Sequence, residues 1–199
     1  MASITLRPTS ASGNGWRNLS NAYDGNSNSY AASPNVTSNN HTNYRATFNF
    51  DVSSLAGKTI NSATLTVRAE VGFTGEMRLY ADINTAGSNR VISTGTIGTY
   101  AATNYTADVA NYINSLSSVI ITPAQTTSYD NTMNIYEVWI DIDYSDAPSK
   151  LQNMYVGGNV IGNIYLGNEK ITKVYLDNIL IYENNSSTSI SEFTNRNKS

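Results

Sequence analysis

The chain has 199 residues, enough for one ordinary domain with an appendage or for two small ones. Hydrophobic residues make up 40%, which allows a packed core and excludes wholesale disorder. Only 14% of residues are charged, the formal net charge is -3 and there is no cysteine. A basic nucleic-acid footprint, a polybasic membrane patch, disulfides and thiolate metal sites are therefore all excluded. The opening Met1-Ala-Ser-Ile-Thr-Leu6 has no basic region followed by an apolar run, so no secretory signal is expected. Polar surface must come mainly from Asn, Ser and Thr, whose side chains compete for backbone hydrogen bonds and favour turns and strands over helices.

The first distinctive segment is the loop at residues 21–31, Asn-Ala-Tyr-Asp-Gly-Asn-Ser-Asn-Ser-Tyr-Ala. Asp24, Asn26 and Asn28 alternate as oxygen ligands would on a turn that holds Ca²⁺. The bidentate Glu of a complete calcium loop is missing, and an Asn/Gly-rich turn held by Asx bonds accounts for the same residues. A structural calcium here is the one cofactor the sequence suggests.

Period-two alternation then marks several strands. Tyr44, Ala46, Phe48 and Phe50 share one side; Ala63, Leu65, Val67, Ala69 and Val71 form the next inward set, and Met77, Leu79, Ala81 and Ile83 another. Residues 107–116 suit a short helix, with Val109, Tyr112, Ile113 and Leu116 on one stripe and Thr106 as its N-cap. The last alternating segment, 134–144, sets Tyr136, Val138, Ile140, Ile142 and Tyr144 on the core side, opposite Glu137, Trp139, Asp141 and Asp143. Residues 1–146 thus describe an antiparallel β-sandwich of the jelly-roll kind, with one wet face per sheet.

The pattern changes at Ser145-Asp-Ala-Pro148, and residues 147–150 are read as a linker. Residues 151–183 carry a ten-residue repeat that opens with apolar-Tyr-apolar at Met154, Ile164 and Val174. Gly157-Gly158, Gly167-Asn168 and Asp177-Asn178 follow as tight turns, so a small β-meander is expected. At this length it needs partners to bury its apolar residues. Tyr155, Ile164, Tyr165, Leu166, Val174, Tyr175 and Leu176 are accordingly the expected assembly residues, and a homo-oligomer the expected state. Residues 184–199 form a polar tail.

Several of these segments resemble known modules. Thr47-Phe-Asn-Phe-Asp-Val-Ser-Ser-Leu55 followed by Ile60-Asn-Ser-Ala-Thr-Leu65 resembles the core of DNRLRE-type β-sandwich modules, and residues 105–113 look like a later segment of the same modules. Residues 135–144 resemble the closing strand of phage minor structural proteins, and Ile-Tyr-Leu-Gly-Asn-Glu-Lys-Ile is similar to C-terminal repeats of phage virion proteins. The loop at residues 21–31 also resembles the Asp-Gly-Asn loop of galactose-binding-like modules. The resemblance implies a non-enzymatic virion structural protein, in capsid decoration, head fibre, tail or baseplate, docked on other virion proteins through its repeats. It also implies host-surface polysaccharide recognition as the alternative, with neither nucleic acid nor membrane as a partner.

For glycan binding, aromatic faces suit the C–H faces of pyranose rings. Trp16, Tyr30 and Trp139 are the main candidates, with Tyr23, Tyr100 and Tyr105 behind them; each can equally serve as packing within a sandwich. For catalysis, the single histidine, His41, lies in a loop composition with no nucleophile-elbow motif. Asp141 and Asp143 share one strand face, where acids usually serve solubility, so no catalytic residue is expected.

Overall fold

The structure, a computed structural model, describes residues 1–36, 44–72, 76–97, 101–126 and 131–146, together with six short strands between 154 and 183. The chain divides into two compact units, Met1–Ser145 and Asp146–Ser199.

The first unit contains β1 (Ala2–Leu6), β2 (Ser10–Gly13), β3 (Ala31–Ala32), β4 (Ala46–Asn49), β5 (Lys58–Val71), β6 (Met77–Ile83), β7 (Arg90–Ser93), β8 (Thr103–Asp108), β9 (Ser118–Gln125) and β10 (Met133–Asp146). Among the described residues they form two five-stranded sheets. One runs β1-β10-β5-β8 with β3 also on β10, and the other runs β2-β4-β9-β6-β7. The chain changes sheet at almost every connection, and β10 pairs antiparallel with β1 and β3, β5 with β8, β4 with β2 and β9, and β6 with β7 and β9. This is an all-β, jelly-roll-like antiparallel sandwich.

The expected alternation in β4, β5 and β6 is observed. Ala46, Phe48, Leu65, Val67, Ala69, Met77, Leu79, Ala81 and Ile83 are all fully buried. Register stacks them across strands: Phe48 and Ile83 both lie opposite Val119, and Ala46 and Ala81 both lie opposite Ile121. Such layers meet Val138, Ile140 and Ile142 of the other sheet in one core.

Asn84, just after β6, takes a left-handed φ of 58°, tolerated because its side chain is fully employed. Its amide donates to Ser115 O at 2.7 Å and its oxygen accepts from the N–H groups of Ser117 and Ser118. This ties the end of β6 to the entry of β9.

Three expectations change. Residues 107–116 are not an α-helix: Ala107 and Asp108 end β8, and a 3₁₀ turn spans Ala110–Ser115. The reason is strand pairing. Asp108 lies opposite Thr64, and the Val109 N–H donates to Ala63 O, so these groups are already engaged by β5. Thr106 pairs with Thr66 within the strand and does not cap. Second, β10 does not alternate evenly. Met133 and Ile135 are buried, but so are Val138, Ile140 and Ile142, so the inward set slips by one residue around Tyr136 and Glu137. Tyr136 thereby leaves the core side on which even alternation would place it.

Third, the described strands of the repeat pair in three separate twos and not as one continuous meander. β11 (Met154–Val156) pairs with β12 (Asn159–Ile161), β13 (Ile164–Leu166) with β14 (Glu169–Ile171), and β15 (Lys173–Leu176) with β16 (Ile179–Glu183), each as a separate two-stranded sheet. Two residues separate the paired ends Val156 and Asn159, Leu166 and Glu169, and Leu176 and Ile179. The turn pairs expected between them, Gly157-Gly158, Gly167-Asn168 and Asp177-Asn178, lie outside the described residues. The linker at 147–150, the tail at 184–199, His41 and Tyr100 lie outside the described residues.

Candidate functional site

The slip in β10 shapes the outer face of the β1-β10-β5-β8 sheet. Tyr136 joins the side chains of β5 there. Its hydroxyl donates to Glu70 Oε1 at 2.7 Å, and the Asn134 amide donates to the same oxygen at 3.1 Å. The Arg68 guanidinium lies 5.8 Å from the Tyr136 ring centre, and the Tyr30 ring packs 5.4 Å away at 53°. Burial foremost, then the Glu70 hydrogen bond and charge, push the Tyr136 phenol up from 10.0 to about 12.

Because that folded-state value lies above the free one, Tyr136 contributes stability that is complete below pH 10 and lost as pH rises toward 12. Ultraviolet titration of the wild type minus Tyr136→Phe is expected to show one phenol with a midpoint near 12, and Glu70→Gln should lower that midpoint. A difference curve centred at the ordinary tyrosine value would refute the arrangement.

Beside this cluster, Glu137 is only 5% exposed. Arg7, immediately after β1, donates to its Oε2 across a sequence separation of 130 residues. The other oxygen, Oε1, is buried with no hydrogen-bond partner among the described residues. A buried acceptor left unpaired costs about 1–3 kcal/mol, and such groups are rare enough to call for an explanation. Glu137 lines a cleft of about 190 Å³ together with Arg7, Gly25, Ser27, Arg68, Asn104 and the half-buried Trp139. That is below the roughly 300–1,000 Å³ of enclosed small-molecule pockets, so it is a surface cleft. Trp139 is held in place by its indole N–H, which donates to Asp141 Oδ2 at 2.8 Å. Since residues two apart share a strand face, this bond lays the indole along β10.

One wall of the cleft comes from the loop before β3. Asp24 Oδ1 accepts from the Asn26 N–H at 2.8 Å, Asp24 Oδ2 from the Ser29 hydroxyl at 2.8 Å, and Asn26 Oδ1 from the Asn28 N–H at 3.1 Å. The Asp24 and Asn26 side chains thus brace the loop through Asx bonds, while Asn28 contributes its backbone N–H. Gly25 has φ +80°, and a Cβ there would come within 3.9 Å of the Arg7 guanidinium carbon. That distance is ordinary contact, so it is the left-handed backbone of the turn that calls for glycine here.

The sequence-derived aromatic candidates separate clearly. Trp16 is 9% exposed, and its indole donates to Tyr44 O at 2.8 Å. It packs so tightly on Gly13 that a Cβ there would sit 2.7 Å from the Trp16 ring. Trp16 is therefore a core residue and presents no open face. Tyr23 meets Phe48 edge-on at 6.4 Å, and Tyr105 packs partly buried against the core. Tyr30, 43% exposed, edges a polar hollow with Arg17, Asn18 and Asn21 on the far side of the loop. Trp139 and Tyr30 remain accessible. Sequence reasoning missed Glu137, Arg7 and Arg68. The available signal was a tryptophan standing on the polar side of β10 next to an acid.

No family model and no curated protein matches the chain. Solved structures similar to it include the C-terminal CBM6 of LamC, a marine laminarinase from Zobellia galactanivorans, at 12% identity over 71% of this chain and 98% of that one, with a TM-score of 0.39. A CBM4 structure is similar at 11% identity over 71% and 94%, TM-score 0.40. A pectin-binding carbohydrate-binding module is similar at 12% identity over 72% and 94%, TM-score 0.37. At these identities and scores the likenesses carry no argument about ligand or activity.

Proposed function

We propose that the sandwich unit is a non-catalytic carbohydrate-recognition module whose site is the Glu137–Trp139 cleft. The observation that carries this is the buried, unpartnered Glu137 Oε1 beside an accessible indole. A pyranose offers what such a site lacks: hydroxyls that donate to a fixed carboxylate, and an apolar C–H face that covers an aromatic ring. Arg7, Arg68 and Asn104 add donors for ring and hydroxyl oxygens. Host-surface polysaccharide is the corresponding partner. Asp141 and Asp143 stand side by side on one strand, whereas glycoside cleavage needs two carboxyl groups flanking the bond from opposite sides. Screening the full chain on an array of neutral and charged glycans tests the proposal: dose-dependent binding is expected, and a uniformly blank array sinks it.

A second reading concerns the C-terminal unit. We propose that it docks the protein in a bacteriophage particle, as the resemblance of its repeats implies, through a homo-oligomer built on the hairpins. Its support is the trio of separate two-stranded sheets, since an isolated hairpin is at best marginally stable and gains most from further strands. Light scattering should report an oligomer for the full chain and a smaller species when Tyr155, Tyr165 and Tyr175 are replaced by serine; a monomeric wild type counts against it.

A further inference from the structure

A second groove lies farther along β10 from the Glu137 cleft. Asp141 and Asp143 follow at two-residue intervals on the same face of β10 and line this groove of about 310 Å³, walled by Thr5, Ser62 and Thr64. Trp139 joins the two, because its indole N–H is bonded to Asp141. From Glu137 to Asp143 the strand rises about 20 Å, which spans several linked pyranose rings and is too long for one.

The chemistry along this line is uneven. At the Glu137 end the carboxylate is paired with Arg7. Beyond Trp139 the groove walls contain, among the described residues, two carboxylates and no cation. Asp141 accepts from the Thr5 hydroxyl at 2.6 Å and from the indole, and Asp143 accepts from the Ser62 hydroxyl at 3.1 Å. Each carboxylate oxygen keeps a lone pair for a further donor. Such a surface accepts hydroxyl donors and repels carboxylates and sulfates. Acids on an exposed strand would be unremarkable alone; the buried Glu137 with its unpartnered acceptor, on the same face, marks the line as a site.

We infer that the ligand is a linear, uncharged polysaccharide lying along β10 from Glu137 to Asp143, and that Asp141 and Asp143 reject uronate-bearing or sulfated chains. This rests on carbohydrate recognition at the cleft and adds its length and charge selectivity.

Titration calorimetry of the full chain tests it, using neutral gluco-, manno-, xylo- and galacto-oligosaccharides of two, four and six units, matched oligogalacturonates, and glucosamine oligomers. For one neutral series, affinity is expected to rise about tenfold or more from disaccharide to tetrasaccharide, with little further gain. Uronates should bind at least about tenfold more weakly at low salt, and Asp143→Asn should narrow that gap. Equal affinity for disaccharide and hexasaccharide, a uronate bound as tightly as the neutral chain, or a glucosamine oligomer bound most tightly would each overturn the inference while leaving carbohydrate recognition intact. Absence of binding by every oligosaccharide sinks both.

Discussion

Phe48→Ala is expected to destabilise the sandwich unit by about 3–5 kcal/mol, the usual cost of removing a fully enclosed phenyl ring. Phe48 is 0% exposed, lies opposite Val119 across the β4–β9 ladder, and meets Tyr23 edge-on. Alanine would lose the apolar burial and also leave a cavity between two sheets whose backbones are held by ladders on both sides, so collapse would be limited. Against a typical total of about 5–15 kcal/mol, that is a large fraction. Both tryptophans, Trp16 and Trp139, belong to the sandwich unit, so tryptophan fluorescence reads its urea unfolding without interference from the C-terminal repeats. A clearly lower midpoint with an unchanged slope is expected. A loss below about 1 kcal/mol would mean that β4 does not lie in the core as described.

Trp139→Ala is expected to weaken glycan binding by at least about tenfold while leaving the fold intact, as for a central aromatic contact in a recognition site. The two tryptophans make an internal contrast. Trp16 is enclosed and bonded to Tyr44 O, so its replacement should cost stability; Trp139 is half-buried over the cleft, so its replacement should cost affinity. Trp139→Phe keeps an aromatic face but loses the bond to Asp141, and intermediate affinity is expected. Calorimetry of binding paired with the unfolding midpoint separates the two effects. A Trp139→Ala variant that binds within twofold of wild type would remove the indole from the site.

Where the alternation of apolar and polar residues is unbroken, sequence and structure agree. β4, β5 and β6 bury the residues their period of two assigns inward, because a half-buried strand in an antiparallel sheet tolerates no other register. The segment 107–116 was misleading for a physical reason. Its apolar spacing suits a helix, yet β5 offers its backbone a long-range partner, and pairing Thr64 with Asp108 overrides local preference. The repeat's strand segments were legible in the sequence, whereas their separation into three two-stranded pairs was not.

The candidate site was legible only in fragments. Trp139, Asp141 and Asp143 could be placed on one polar strand face from alternation alone, and Tyr30 could be named as a loop aromatic. The sequence by itself therefore determined an all-β chain, its main inward faces and the position of its repeats, since these follow from local periodicity. Tertiary structure alone decided that Arg7 reaches Glu137, that β10 slips to turn Tyr136 outward, and that Trp16 is enclosed while Trp139 is not. Those outcomes depend on which groups distant segments bring together, and on how much water they exclude there, and local periodicity carries no information about either.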